Sequence, residues 1–226
     1  MSRKLVLFCD FDGTITEKDN IVSIVRKFAQ PEHEALRESL IEQILTQKIT
    51  IQSGVGQLFQ LIPSSKRQEI VTYILGEAKI RPGFAEFVRF CREEGIEWLI
   101  TSGGIDFFLE PLLAPFDLAG VPLFCNGSDF SGERIRITWP HHCDDQCHNG
   151  CGMCKTTIIR RYDPAEYYRV IIGDSITDLA GAKICDYVIA RSLLAEKAAE
   201  LRLKHRTFAT FHDVIDILQD VRQEVR

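Results

Sequence analysis

Residues 8–14 read Phe-Cys-Asp-Phe-Asp-Gly-Thr, so two carboxylates, Asp10 and Asp12, stand two positions apart directly after the apolar run Leu5-Val6-Leu7. A second apolar run, Val170-Ile171-Ile172, leads into Gly173-Asp174-Ser175-Ile176-Thr177-Asp178. Apolar strands that end in acidic, glycine-containing turns place oxygen ligands at the carboxyl edge of a parallel sheet, a setting suited to Mg2+. Carboxylates and a hard cation at such an edge point to phosphate chemistry.

The residues fit the cleavage of a phosphate monoester. In-line attack by an aspartate on phosphorus gives an acyl phosphate that water then hydrolyses. Both reactants are negative, so a metal must bridge them. Asp10 is the candidate nucleophile and a metal ligand, Asp174 offers a second carboxylate, and the Asp12 main-chain carbonyl offers a third ligand. The Asp12 side chain suits a general acid and base, because nearby negative charge and partial burial favour its protonated form. Gly13 lets the backbone come close to a phosphate, and Thr14 adds a hydroxyl and an N–H. Ser102, with the Gly103 N–H beside it, suits the phosphoryl oxygens. Lys155 suits the offsetting point charge. Asp178 is placed to orient Lys155 or a metal-bound water. A lone Asp-x-Asp-Gly or Ser-Gly-Gly is most often an ordinary turn; these residues carry weight as a set that agrees on one site.

The elements needed to hold such a set are legible from periodicity. Strands are expected at Leu5–Cys9, Ile96–Ile100 (ending at Thr101-Ser102-Gly103-Gly104), Leu123–Cys125, Val170–Ile172 and Tyr187–Ala190, with Ile135–Trp139 alternating like one arm of a hairpin. Between Ile15 and Lys79 the pattern is helical throughout: Ile21, Ile24, Val25 and Phe28; then a helix opened by Pro31; then Val55, Leu58, Phe59 and Ile62; then Ile70, Tyr73 and Ile74 behind a Ser65…Gln68 capping box. Further helices are expected after Pro82, through Phe107 and Phe108, over Lys155–Tyr162 and Ile176–Cys185, and after a Thr210…Asp213 cap. Alternating strands and helices imply an α/β fold, a Rossmann-like parallel sheet with helices on both faces. The expected organisation is a catalytic core of residues 1–15 and 80–226 with a small helical cap, residues 16–79, inserted after the first strand.

Taken together, Cys9-Asp10-Phe11-Asp12-Gly13-Thr14, Thr101-Ser102-Gly103-Gly104, Lys155 and Gly173–Asp178 resemble the four motifs of the haloacid dehalogenase superfamily. That resemblance implies the Rossmann-like core, Mg2+ and the residue roles above, and a second Asp two residues after the nucleophile favours a phosphatase over a dehalogenase. The insert resembles the cap of the phosphoserine phosphatase branch. More narrowly, Asp19-Asn20-Ile21, Ser102–Phe108, Trp139-Pro140-His141 and the cysteines ending in Cys154-Lys155 resemble a phosphatase of methionine salvage, which implies a small enol-phosphate substrate. Phosphoserine phosphatase, or another small phosphomonoesterase, is the alternative enzyme. A metal-stabilised binding protein without catalysis is the alternative of another class, and the complete motif set argues against it.

A net charge of −5 leaves no electrostatic footprint for nucleic acid, and no apolar run approaches the length of a membrane span. The first apolar run ends at Asp10, too early for a signal peptide, so a cytoplasmic location is expected. The expected partner is a small phosphorylated metabolite, and a homodimer is left open. Asp19 and Asn20 read as an N-cap pair, Trp139 as a packing residue, and Arg26, Lys27 and Arg37 as parts of solvated helix faces.

Four of the eight cysteines, Cys143, Cys147, Cys151 and Cys154, crowd into a dozen residues just before Lys155. Three readings stay open: a structural Zn2+ site, free thiols, or disulfides, the last disfavoured in a reducing compartment. A catalytic role is not expected of the cluster; its place beside Lys155 leads to the expectation that it fixes the loop presenting that residue.

Overall fold

The structure, a computed structural model, describes residues 3–225. In chain order the elements are β1 (Lys4–Cys9), α1 (Asn20–Phe28), α2 (Glu34–Leu45), α3 (Ile51–Gln60), α4 (Arg67–Glu77), α5 (Phe84–Glu93), β2 (Glu97–Ile105), α6 (Asp106–Leu113), β3 (Leu123–Asp129) and β4 (Arg136–Thr138). There follow α7 (Lys155–Ile159), β5 (Tyr167–Gly173), α8 (Ile176–Ala182), β6 (Tyr187–Ala190), α9 (Ser192–Glu200), β7 (His205–Thr207) and α10 (Phe211–Val225).

The strands form one seven-stranded sheet in the order β4-β3-β2-β1-β5-β6-β7, parallel throughout except for the β3–β4 pair. Side chains alternate across a strand, and β1 is apolar on both faces. Leu7 and Cys9 enter the larger core, with Phe84, Phe87, Trp98 and Phe211. Val6 and Phe8 enter a smaller one on the opposite face, with Ile158, Ile159, Ile171 and Leu194. A strand buried on both sides belongs in the middle of an α/β sheet. That places the carboxyl end of β1 between β2 and β5, where successive strands leave to opposite sides and ligands bind in such sheets.

The chain leaves this core after β1 and returns before α5 at one place. Thr16 and Ile80 form an antiparallel bridge, Glu17 N–H donates to the Lys79 carbonyl at 2.9 Å, and Arg81 N–H donates to the Ile15 carbonyl at 2.8 Å. Between these two crossing strands lie α1–α4, closed over Ile24, Val25, Leu40, Ile41, Leu58, Phe59, Ile70 and Ile74. The insert also touches the β3–β4 hairpin: Ile135 N–H donates to the Ile62 carbonyl at 3.1 Å and Ser64 N–H to the Glu133 carbonyl at 2.9 Å.

Several local expectations change. β2 does not stop at Thr101 but continues to Ile105, with a register shift against β3 between Thr101 and Ile105, so Ser102-Gly103-Gly104 lies inside an irregular strand. The Ser65…Gln68 capping box does not form; Ser64–Lys66 is a 3-10 turn and Lys66 caps α4 without a side-chain bond. The expected helices at Lys155 and Ile176 end early, at Ile159 and Ala182. Arg37 is buried rather than solvated, bonded to Glu34, Glu38 and the Arg26 carbonyl. α9 and β7 were not marked by the periodicity. The Thr210…Asp213 pair does act as a cap: the Asp213 carboxylate accepts from Thr210 N–H at 2.8 Å. Among the described residues no helix is long and apolar enough to cross a membrane.

Candidate active site

Four elements deliver the sequence candidates to one place. β1 ends in Asp10, whose N–H donates to the Ile172 carbonyl of β5 at 2.9 Å, and the chain turns at Gly13 with φ +79°. A side chain at Gly13 would overlap the Asp174 carboxylate, so glycine is required both by the backbone and by the closeness of the β5 turn. Thr14 Oγ1 donates to Asp174 Oδ1 at 3.3 Å, which joins the two acidic turns directly. Asp178, at the N-terminus of α8, accepts with Oδ2 from the N–H groups of Asp174 and Ser175, each at 3.1 Å. Ser175 and Asp178 form the reciprocal capping box of α8, which fixes the Asp178 rotamer.

Lys155 opens α7 and is buried. Its ammonium donates to Asp10 Oδ1 at 2.6 Å and to Asp178 Oδ1. Both Asp178 oxygens are thus committed to protein donors, whereas Asp10 Oδ2 has no protein donor among the described residues. Oxygens of Asp10, Asp174 and Asp178 lie within 4.8 Å of one another. Burial, followed by the Asp178 charge, raises the Asp10 carboxyl well above the usual carboxylate range, with Lys155 pulling the other way. Burial and the Asp178 charge likewise raise Asp174 to about 6, against the pull of Lys155. Burial also opposes the Lys155 charge, but Asp10 and Asp178 outweigh it and hold the ammonium above its ordinary pKa. Three converging carboxylates face one ammonium. The all-oxygen donor set and surplus negative charge fit a hard divalent cation, which Asp10 and Asp174 could hold.

Asp12 points elsewhere. Its Oδ1 accepts from the Asn20 side chain at 2.6 Å and the Asn20 N–H at 3.1 Å, and its Oδ2 is buried with no partner among the described residues. Burial and then the Asp19 charge raise its pKa to about 7, the Asn20 bonds opposing. A proton on Oδ2 is therefore accessible near neutrality, in the form a general acid needs. Ser102 is buried, and its Oγ accepts the Gly104 N–H at 2.9 Å, leaving its own hydrogen to donate. A Cβ at Gly104 would lie 2.6 Å from Asp12 Oδ2 and 3.0 Å from Ser102 Oγ, so these two side chains converge on the bare glycine.

The set expected from the sequence thus falls into three parts that meet at the ends of β1, β2 and β5: Asp10, Thr14, Lys155, Asp174 and Asp178; Asp12; and Ser102 with Gly103. Asp19 is the N-cap of α1, accepting from Val22 N–H at 3.0 Å, while Asn20 turns back to Asp12 instead of capping. Phe107 and Phe108 are core residues. The four thiols before Lys155 do come together, and among the described residues every cysteine is free.

The roles of three residues were not foreseen. Asn20 orients Asp12. Asn126 donates to the Gly103 carbonyl at 2.6 Å and so fixes the Ser102-Gly103-Gly104 backbone. Arg81, buried, donates to the carbonyls of Thr14 at 2.7 Å, Gly13 at 2.8 Å and Thr16 at 3.1 Å, locking the turn after β1 to the segment that returns from the insert. An arginine in the Lys79-Ile80-Arg81-Pro82 run carries no signal in the sequence; only a buried guanidinium with several main-chain partners does. Two open clefts, one along Gln60, Asp129 and Arg134 and another along Arg92, Trp98 and Asp117, include none of the candidate residues.

Residues 7–183 match the haloacid dehalogenase-like hydrolase family. The chain belongs to that family, and within it is a phosphoric monoester hydrolase. It is 77% identical over 225 residues, covering 100% of both chains, to the 2-hydroxy-3-keto-5-methylthiopentenyl-1-phosphate phosphatase of Brevibacillus brevis. It is 55% identical to the enzyme of that name from Geobacillus kaustophilus, over 100% of this chain and 99% of the other. Among solved structures, a phospho-aspartyl intermediate analogue of phosphoserine phosphatase superposes with a TM-score of 0.66 at 17% identity, covering 96% of this chain and 99% of the other, a likeness of fold.

Proposed function

We propose that the protein hydrolyses 2-hydroxy-3-keto-5-methylthiopentenyl-1-phosphate to the acireductone 1,2-dihydroxy-3-keto-5-methylthiopentene, in methionine salvage. The observation that carries the substrate is the 77% identity, end to end, with the relative of that name. The site supports the reaction type. Asp10 Oδ2 attacks phosphorus while Lys155 holds Oδ1, so the carboxylate presents one oxygen in a fixed direction. Thr14, Ser102 and the Gly103 N–H receive the phosphoryl oxygens, and Lys155 offsets their charge. Asp10, Asp174 and the Asp12 carbonyl would hold Mg2+, which supplies charge neutralisation between the attacking carboxylate and the phosphate. Asp178 keeps Lys155 and the Asp174 turn in register.

Asp12 gives the leaving enolate its proton and then takes one from the hydrolytic water at the same carboxyl oxygen. Residues 16–79 act as the cap, closing over a small apolar tail on the crossing strands that Arg81 clamps. An enolate leaves more readily than an alkoxide, so the proton matters less for this substrate than for alkyl esters. Asp12→Ala is therefore expected to slow an alkyl monoester by about 10²–10⁴-fold, and an ester with a nitrophenol leaving group far less. Equal losses on both esters remove the general-acid assignment.

The substrate is tested by kcat/KM on a panel containing the enol phosphate, phosphoserine and simple alkyl phosphates, each with and without Mg2+. The enol phosphate is expected to exceed the others by at least about 10²-fold, with activity lost on chelation. A preference for phosphoserine, or undiminished turnover without divalent metal, overturns the reading.

A further inference from the structure

We propose that Cys143, Cys147, Cys151 and Cys154 bind one zinc ion as a closed, four-thiolate structural site, separate from the carboxylate centre. The four sulfurs lie within 4.8 Å of one another, and Cys147 Sγ and Cys151 Sγ are 3.9 Å apart. A tetrahedral zinc site with bonds of about 2.3 Å has sulfur–sulfur edges of about 3.8 Å. A disulfide needs about 2.05 Å, and no cysteine among the described residues is in one. Four thiolates and no oxygen donor form the ligand set of a soft, structural site rather than one that keeps an open position for catalysis.

The surrounding chain is built for closure on a small centre. Residues 139–154 contain no helix or strand. A loop of that length with no secondary structure of its own needs some other restraint. Gly150 and Gly152, on either side of Cys151, both take positive φ, +61° and +78°, which lets the chain reverse tightly there. A side chain at Gly152 would meet the Trp139 ring at 2.7 Å, so the end of the loop is folded back on its beginning. Cys154 N–H donates to the His141 carbonyl at 2.9 Å, and Asp144 is ion-paired to Arg160, just past α7. Two of the sulfurs, on Cys147 and Cys154, belong to buried residues, and the other two to half-buried ones.

The position gives the site its consequence. Cys154 is the residue before Lys155 and caps α7. On its other side the loop reaches the helical insert, where Gln52 N–H of α3 donates to the Gly150 carbonyl at 3.0 Å. One zinc ion would thus tie the Lys155 helix start, the loop and the edge of the insert together. On binding, the thiols lose their protons to solvent and the metal becomes part of the folded state.

The test is metal analysis of the full-length protein, purified under reducing conditions without chelator, with parallel reconstitution of metal-free protein by Zn2+ or Co2+. About one zinc per chain is expected, and the Co2+ form should show intense thiolate-to-cobalt charge transfer with tetrahedral d–d bands. Cys151→Ser is expected to lower bound zinc by at least about tenfold, whereas Cys185→Ser, outside the cluster, keeps it. If Cys151→Ser does not fold, the cobalt titration of the unaltered chain decides. Less than about a tenth of an equivalent of zinc after reconstitution, with no thiolate–cobalt spectrum, overturns the site, as does iron in place of zinc. None of these readouts depends on the substrate, so they stand or fall apart from the proposed phosphatase reaction.

Discussion

Asp10→Asn is expected to reduce turnover by about 10⁴-fold or more while leaving the fold intact. The amide is nearly isosteric with the carboxylate but is neutral and a poor nucleophile. Lys155 keeps its second partner, Asp178, and burial with the Asp178 charge already disfavours an ionised Asp10. Removing that charge therefore carries little structural penalty, and the melting temperature should hold or rise. Steady-state kinetics and a thermal melt on the same preparation check both halves. Retention of more than about a tenth of the activity removes Asp10 from the role of nucleophile.

Lys155→Met is expected to fail in a different way. The ammonium is the one cation bonded to Asp10 and Asp178 among the described residues, and it is buried with them. Its loss leaves buried carboxylates facing one another, a situation that costs about 3–5 kcal/mol when one partner of a buried pair is removed. The melting temperature should fall by several degrees, and kcat by about 10²–10³-fold through loss of phosphoryl charge stabilisation. Adding Asp10→Asn to Lys155→Met should restore part of the lost stability without restoring activity, because the two sites share one interaction. A Lys155→Met variant with unchanged melting temperature and near-native kcat contradicts the electrostatic account.

The contrast between these two variants follows from how the site was legible. Asp10, Ser102, Lys155 and Asp174 each sit where an apolar run stops or a helix starts, and the hydrophobic pattern marks those points plainly. The alternation of strands and helices then brings the ends of β1, β2 and β5 together without any knowledge of contacts. Residues that act by reaching back across the chain left no such trace. Asn20 reads as half of a cap, yet its side chain serves Asp12, eight positions earlier. Arg81 holds three carbonyls of residues 13–16 from more than 60 positions away. Arg37 carries the charge pattern of a solvated face but is buried by α1 and its own glutamates. The Ser65 box fails because a 3-10 turn puts Lys66, not Ser65, at the cap of α4. β2 runs past Thr101 because its edge pairing with β3 resumes at Ile105, a tertiary effect that glycine pairs conceal.

The central claim is that phosphate passes through a covalent bond to Asp10. Its most direct test is to mix the enzyme with the enol phosphate, quench within a turnover, reduce the acyl phosphate with borohydride and sequence the peptides by mass spectrometry. Position 10 should appear as homoserine, and the signal should vanish in Asp10→Asn. Homoserine at another carboxylate, or none at position 10 while phosphate is still released, would contradict the account.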